Sequence, residues 1–136
     1  MKMLALDVGD KWTGSAISDP LGILARPYKT VSTAELEIFL SETIGSENIK
    51  KIVVGYPKTM RGTESEQTKK IKEVKEKLEK IFDAVPWVLW DERLSSKRAA
   101  SVKKAKTKDD KKMSHSVAAA FILDSYLTFV QAQKSL

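Results

Sequence analysis

The sequence predicts an α/β protein with a mixed five-stranded sheet flanked by helices. Short apolar segments alternate with longer amphipathic ones along the chain, and three strand-like segments precede the first helical segment. An antiparallel start followed by β–α–β units gives a sheet that contains both parallel and antiparallel pairs. The 136 residues suit one domain covering residues 1–136, and no repeat or linker divides them.

The strands are predicted from short apolar segments that end at turn-forming residues. In chain order they are Met3 to Leu6, Thr13 to Ser18, Ile23 to Tyr28, Ile52 to Gly55 and Trp87 to Trp90. The first is apolar on both faces and stops at Asp7 to Asp10, which indicates a buried central strand. The third contains Pro27, which lacks an amide donor and therefore favours the edge of the sheet.

The first two helices are predicted from capping residues and helical periodicity. Thr33 is expected to cap a helix that stops at Gly45. The second helix opens at Thr63 or Ser65. Its apolar positions recur with a helical period, and they are Ile71, Val74, Leu78, Ile81 and Phe82.

Two further helices should close the chain. One is predicted near Ser95 to Lys103 and the other from about Ser114 to Gln131. The segment between them, Lys103 to Lys112, is too polar to bury, so we predict that it forms a mobile basic loop.

The composition narrows the classes of function. The absence of cysteine excludes disulfides, thiolate metal sites and cysteine nucleophiles, and it fits a reducing cytoplasm. No apolar run approaches the ~20 residues that cross a bilayer, so we expect no membrane association. Lys and Arg number 24 against 18 acidic residues, a net charge of +6. This excess favours polyanionic partners only where the charge is localised.

Acidic residues end two strands of the predicted sheet. Asp7 ends the first strand, and Asp91 and Glu92 end the last. Ligands of α/β sheets gather at the carboxyl ends of strands, so these carboxylates would meet at one edge if their strands are neighbours. Oxygen ligands of this kind suit Mg²⁺ or Mn²⁺.

Four blocks of sequence, in order, resemble the YqgF/RuvX family. They are Asp7-Val8-Gly9 with Gly14, Val53 to Pro57 with Arg61-Gly62-Thr63, Asp91 to Ser96, and Ala118-Ala119 with Ile122-Leu123. The resemblance covers nearly the whole chain and implies an RNase H-like fold related to the RuvC Holliday junction resolvases. Members are described as resolvases or as nucleases that mature the 5′ end of pre-16S ribosomal RNA, so it also implies nuclease activity.

The resemblance further implies three metal-binding side chains. Carried over by motif, these side chains are Asp7, Glu92 and a residue on the last helix. Asp91 is the alternative to Glu92, because adjacent residues of a strand point to opposite faces and only one of the two can face Asp7. Where the family typically has an aspartate ahead of the paired alanines, this chain has its only histidine, His115. That imidazole would bind Mn²⁺ or another transition ion, act as a proton shuttle, or simply pack on a helix face.

The implied reaction is phosphodiester hydrolysis with two divalent ions about 3.5–4 Å apart. Asp7 would bridge the ions, and Glu92 would hold one ion and orient water. His115 would bind the other ion or one of its ligands. Basic side chains near this edge would position a nucleic-acid strand by its phosphates. They are Lys11, Lys58, Arg61, Arg93, Lys103, Lys104, Lys106 and Lys108, with Trp12 either stacking on a base or packing over the hairpin.

Other functions remain open at this point. The replaced aspartate is compatible with a catalytically weak protein that only binds structured RNA or branched DNA, or with an assembly partner of the ribosome. A Holliday junction resolvase acting on DNA is equally compatible. The Asp-x-Gly turn also occurs in sugar kinases and actin-like ATPases, but these need a second domain that we do not expect here. The sequence indicates no oligomeric state.

Overall fold

The computed structural model describes residues 1–57, 66–91 and 108–134, without the side chains of residues 108–113. Its elements are β1 (Lys2–Val8), β2 (Trp12–Ser18), β3 (Ala25–Ser32), a 3₁₀ turn (Thr33–Glu35), α1 (Leu36–Ser46), β4 (Ile49–Tyr56), α2 (Glu66–Ile81), β5 (Trp87–Asp91) and α3 (Lys108–Lys134). None of these helices has the length and apolar character needed to span a membrane. The helix predicted near Ser95 to Lys103 lies outside the described residues.

The five strands form one mixed sheet in the order β3-β2-β1-β4-β5. β2 pairs antiparallel with β1 and with β3, whereas β4 pairs parallel with β1 and with β5. The predicted sheet is therefore confirmed, with β1 at its centre. β3 is an edge strand, as Pro27 predicts, because an edge position tolerates a missing amide donor.

β1 is apolar on both faces because each face packs against helices. Leu4 and Leu6 join the core under α1 and α2, while Met3 and Ala5 join the core under α3. Successive side chains of a strand point to opposite faces, so Asp7 belongs to the face covered by α3. This alternation decides which helix the carboxylate meets.

Several boundaries differ from the sequence prediction, including that of β3, which covers Ala25–Ser32 and not Ile23 to Tyr28. β1 continues through Asp7 to Val8 because Asp7 pairs with Gly14, and Val8 with Thr13, on β2. Thr33 makes no capping hydrogen bond, since its hydroxyl bonds to the β1–β2 turn instead. α1 includes Gly45, and the positive φ of 53° that follows the helix is at Asn48.

The last helix begins earlier than expected. The predicted mobile loop ended at Lys112, but α3 already begins at Lys108, so residues 108–112 are helical. Acidic residues such as Asp109 and Asp110 favour the first turn of a helix because they complement its dipole.

The helical period predicted for α2 is confirmed except at Ile81. Ile71 and Leu78 of α2 are buried, and Val74 and Phe82 pack against the same core. Ile81 is 46% exposed, so it does not belong to the buried face. Ile38 of α1 is likewise 62% exposed.

Candidate active site

Asp7 lies at the carboxyl end of the central strand, on the face covered by α3. Its side chain is 19% exposed, so it is reachable from solvent but held among neighbours. β2 and β4 flank β1 on either side, which fixes the backbone that carries the carboxylate. The sheet therefore presents Asp7 at a fixed point on its edge.

The backbone of α3 lies directly over Gly14. A Cβ atom at Gly14 would be 2.1 Å from the carbonyl carbon of His115 and 2.5 Å from the amide nitrogen of Ser116. Only glycine allows this approach, which is a recurrent reason for glycine within a strand. Since Gly14 pairs with Asp7, the helix brings His115 beside the carboxylate.

The structure thus unites two of the three predicted metal ligands. His115 Nδ1 is 3.5 Å from Asp7 Oδ2, and the imidazole is 34% exposed. The helix face that carries His115 is buried at Ala118, Ala119 and Ile122, as its periodicity predicts. Asp124, which the same periodicity puts on the other side, is exposed.

The pair fits a divalent ion by its donor chemistry and its spacing. Carboxylate oxygen and imidazole nitrogen are both common ligands of Mn²⁺ and related ions. Two donor atoms that each lie about 2.1 Å from one ion are about 3 to 4 Å apart, and Asp7 and His115 fall within that range. Among the side chains that the structure describes, no cluster of three acidic, histidine or cysteine residues exists.

Asp91 is on the wrong side of the sheet to complete this pair. Its parallel partner Tyr56 packs into the core under α1 and α2, and residues paired across strands share a face. Trp87 and Leu89, which have the same parity in β5, belong to that core as well. The fallback ligand of the sequence analysis is therefore separated from Asp7, and the preferred one, Glu92, lies outside the described residues.

The turn between β1 and β2 is fixed by Thr33. The Thr33 hydroxyl donates to the Gly9 carbonyl at 2.7 Å and lies 2.9 Å from the Thr13 hydroxyl. Its amide also donates to the carbonyl of Lys11 at 3.0 Å. Sequence reasoning assigned Thr33 to a helix cap and missed this role, which no local pattern signals because the partners are about twenty residues away.

Two of the predicted nucleic-acid contacts lie in or beside this turn. Lys11 is exposed and Trp12, the first residue of β2, is half-buried. The other predicted contacts belong to segments that the structure leaves undescribed, except that the backbone of Lys108 starts α3. Those outside the described residues are Lys58, Arg61, Arg93, Lys103, Lys104 and Lys106.

Comparison with solved structures identifies the fold. RuvC of Thermus thermophilus in complex with a Holliday junction substrate aligns with a TM-score of 0.60 over 96% of each chain, at 13% identity. A second structure of Thermus thermophilus RuvC gives the same TM-score over 97% of each chain. The expected RNase H-like fold is confirmed.

Comparison with curated proteins gives closer relatives. Proteins from Caldicellulosiruptor bescii and Rubrobacter xylanophilus both carry the name "Putative pre-16S rRNA nuclease". The first is 39% identical over 135 residues, covering 95% of this chain and 97% of the relative. The second is 35% identical over 127 residues, covering 93% of this chain and 91% of the relative. A family model described as RuvX, Holliday junction resolvase, matches residues 1–129. The chain belongs to the RuvX family.

Proposed function

We propose that this protein is a divalent-metal-dependent nuclease that hydrolyses phosphodiester bonds in the precursor of 16S ribosomal RNA. The observation that carries the proposal is the approach of His115 Nδ1 to Asp7 Oδ2, 3.5 Å apart at the carboxyl end of the central strand. The names of the curated relatives support the RNA substrate. We further propose the reducing cytoplasm as the compartment, which suits a chain without cysteine.

In this proposal Asp7, His115 and Glu92 hold the metal. A bound divalent ion supplies a Lewis acid and lowers the pKa of the water that it coordinates. Asp7 contributes negative charge from a strand that hydrogen bonds on both sides hold in place. His115 contributes a nitrogen donor whose position is fixed by the contact of its backbone with Gly14. These two side chains therefore need little rearrangement before reaction, which preserves their electrostatic effect.

The phosphate backbone of the substrate is proposed to cross the edge of the sheet at the β1–β2 turn. Lys11 is exposed there, two residues after Gly9, and can pair with a phosphate in any sequence. The lysines and arginines predicted from the sequence, including Arg93 and Lys103, would extend this contact. Binding of this kind is dominated by electrostatics and weakens with salt.

A resolvase activity on branched DNA is the second candidate, because the family model that matches residues 1–129 is described as a Holliday junction resolvase. Both candidates use the same chemistry at Asp7 and differ only in substrate. A direct comparison of the two substrates under identical conditions distinguishes them.

The test is cleavage of end-labelled pre-16S rRNA and of a four-way DNA junction by the purified protein with Mg²⁺ or Mn²⁺. We expect cleavage of the RNA near its 5′ end and a loss of roughly 10²-fold or more in kcat for Asp7→Asn, because the charge that holds the ion is removed. Asp124→Asn is the matched control, since Asp124 is an exposed aspartate on α3.

Three results would contradict the proposal in different ways. Preferential cleavage of the junction would favour the resolvase. Equal activity of Asp7→Asn and Asp124→Asn would remove Asp7 from the site. Salt-sensitive binding without any product, in the parent and in Asp7→Asn alike, would leave a nucleic-acid-binding protein.

A further inference from the structure

A groove opens at the same edge of the sheet as Asp7, on the opposite face. It has a volume of about 230 Å³ and lies between the β1–β2 turn and α2, with Val8 in its floor. Because Val8 follows Asp7 in β1, the two side chains point to opposite faces of the sheet. We propose that this groove holds one unpaired base of the substrate strand, beside the phosphate at Asp7; this inference rests on the proposed function.

The floor of the groove is apolar. Val8 and Ile71 are 6% and 3% exposed, and Val74 is half-buried beside them. A base that leaves its stack needs apolar surfaces on which its ring can pack. These three aliphatic side chains, contributed by β1 and α2, provide such a surface.

The charges around the groove disfavour a phosphate. Among the residues that the structure describes, Asp10 and Glu73 line the groove together with one cation, Lys70, so the formal charge of these side chains is −1. Lys70 Nζ is already 3.7 Å from Asp10 Oδ1. An occupant should therefore be uncharged, which fits a nucleobase and does not fit the sugar–phosphate backbone.

Gln67 gives the groove a means of hydrogen bonding to a base. It lies on the first turns of α2 and lines the groove. A glutamine amide offers both a donor and an acceptor, and the edge of every base presents at least one of each. This matches the recognition of an extruded base by hydrogen bonds at its edge.

The size of the groove suits a single base. Sites for drug-sized ligands have volumes of about 300–1,000 Å³, and this one is smaller. This volume suits one base better than a base pair or a stacked dinucleotide. The proposal therefore assigns the substrate to the class of strands with an unpaired base next to the bond that is cut, as in the loops, bulges and ends of RNA.

The turn between the two sites is fixed, which links them. Thr33 also lines the groove, and its hydroxyl holds the Gly9 carbonyl at 2.7 Å. A strand that crosses the turn at Gly9 brings a phosphate to Asp7 on one face and an adjacent base to the groove on the other. Base binding would then set which phosphate is presented to Asp7.

The test is a chemical-shift titration of ¹⁵N-labelled protein with adenosine or uridine, in EDTA, and in parallel with ribose 5-phosphate. We expect the nucleosides to shift the amide signals of Gly9, Ile71 and Val74, and ribose 5-phosphate to leave them unchanged. Because the measurement needs neither metal nor cleavage, it can succeed or fail independently of the nuclease proposal.

Variants of the groove make the test specific. Gln67→Ala should weaken nucleoside binding at least threefold, and Val74→Phe, which fills the groove, should abolish the shifts. Gln133→Ala, an exposed glutamine near the end of α3, is the matched control and should bind as the parent does. The proposal is overturned if neither nucleoside shifts these signals, if ribose 5-phosphate shifts them instead, or if Val74→Phe, shown to be folded by its spectrum, binds like the parent.

Discussion

At the scale of single residues, the proposed metal site contains an imidazole where the resemblance to the family implies a carboxylate. His115 Nδ1 faces Asp7 Oδ2 at 3.5 Å, and the same position on α3 would also bring an aspartate side chain towards Asp7. The two residue types differ in what they can do. Both bind a divalent ion, but only histidine carries and releases a proton near neutral pH.

Substitution of His115 separates these roles. If His115 is a metal ligand, His115→Asp should keep or raise the rate of cleavage with Mg²⁺, because a carboxylate oxygen suits this ion. His115→Ala should lower the rate by roughly 10–100-fold, the usual cost of weakening a metal site. The measurement is kcat on pre-16S rRNA with each ion.

Two outcomes would change the assignment of His115. Loss of activity in both variants would make His115 a proton carrier and not a ligand. If both variants match the parent, its role is structural only.

At the scale of secondary-structure elements, the crossing of α3 over β2 brings His115 beside Asp7. Gly14→Ala puts a Cβ within 2.1–2.5 Å of backbone atoms of His115 and Ser116. A side chain could relieve such a clash by changing rotamer, but backbone atoms cannot. The helix must shift, so we expect a loss of about 1–3 kcal/mol in the free energy of unfolding. Urea denaturation measures this loss, and the displaced His115 should lower cleavage as well.

Gly45→Ala is the matched control for that experiment. A Cβ at Gly45 meets nothing within 4 Å, and the residue lies within α1. Alanine is favoured over glycine in a helix, so this variant should gain about 0.5–1 kcal/mol. A loss at Gly45 equal to the loss at Gly14 would show that the contact with α3 is not the cause.

The β2–β3 turn should respond to acid through Asp19. The amides of Leu24 and Ile23 donate to its Oδ1 at 3.0 and 2.7 Å, and these bonds lower the pKa of Asp19 below its ordinary value of 3.8. A lowered pKa in the folded state stabilises the protein above the unfolded value, and this contribution disappears as the pH falls through the folded value.

We therefore expect Asp19→Ala to have a lower urea midpoint than the parent at pH 7. The difference should shrink as the pH falls below 3.8, because the carboxyl group of the parent becomes protonated. Urea titrations at a series of pH values check this. A difference that stays constant down to the acid limit of folding would mean that the charge of Asp19 contributes nothing.

At the scale of the whole molecule, the sequence predicted the architecture better than the contacts. The two apolar faces of β1 were sufficient to predict a central strand, and the proline in β3 was sufficient to predict an edge strand. Both predictions succeed because burial and amide pairing are local requirements. The face of His115 followed from helical periodicity. The covering of Gly14 by α3 and the bond from Thr33 to Gly9 join distant segments, and no local pattern encodes such contacts. The single domain over residues 1–136 stays a prediction.

The pairing of Asp7 with His115 as a metal site is tested most directly by titrating ¹⁵N-labelled protein with Mn²⁺, which broadens the signals of nearby amides. We predict that the amides of Gly9, Gly14 and His115 broaden first, and that Asp7→Asn abolishes this effect. The account is contradicted if these signals broaden equally in Asp7→Asn, or if the first signals to broaden belong to the acidic surface formed by Glu76, Glu79 and Asp83.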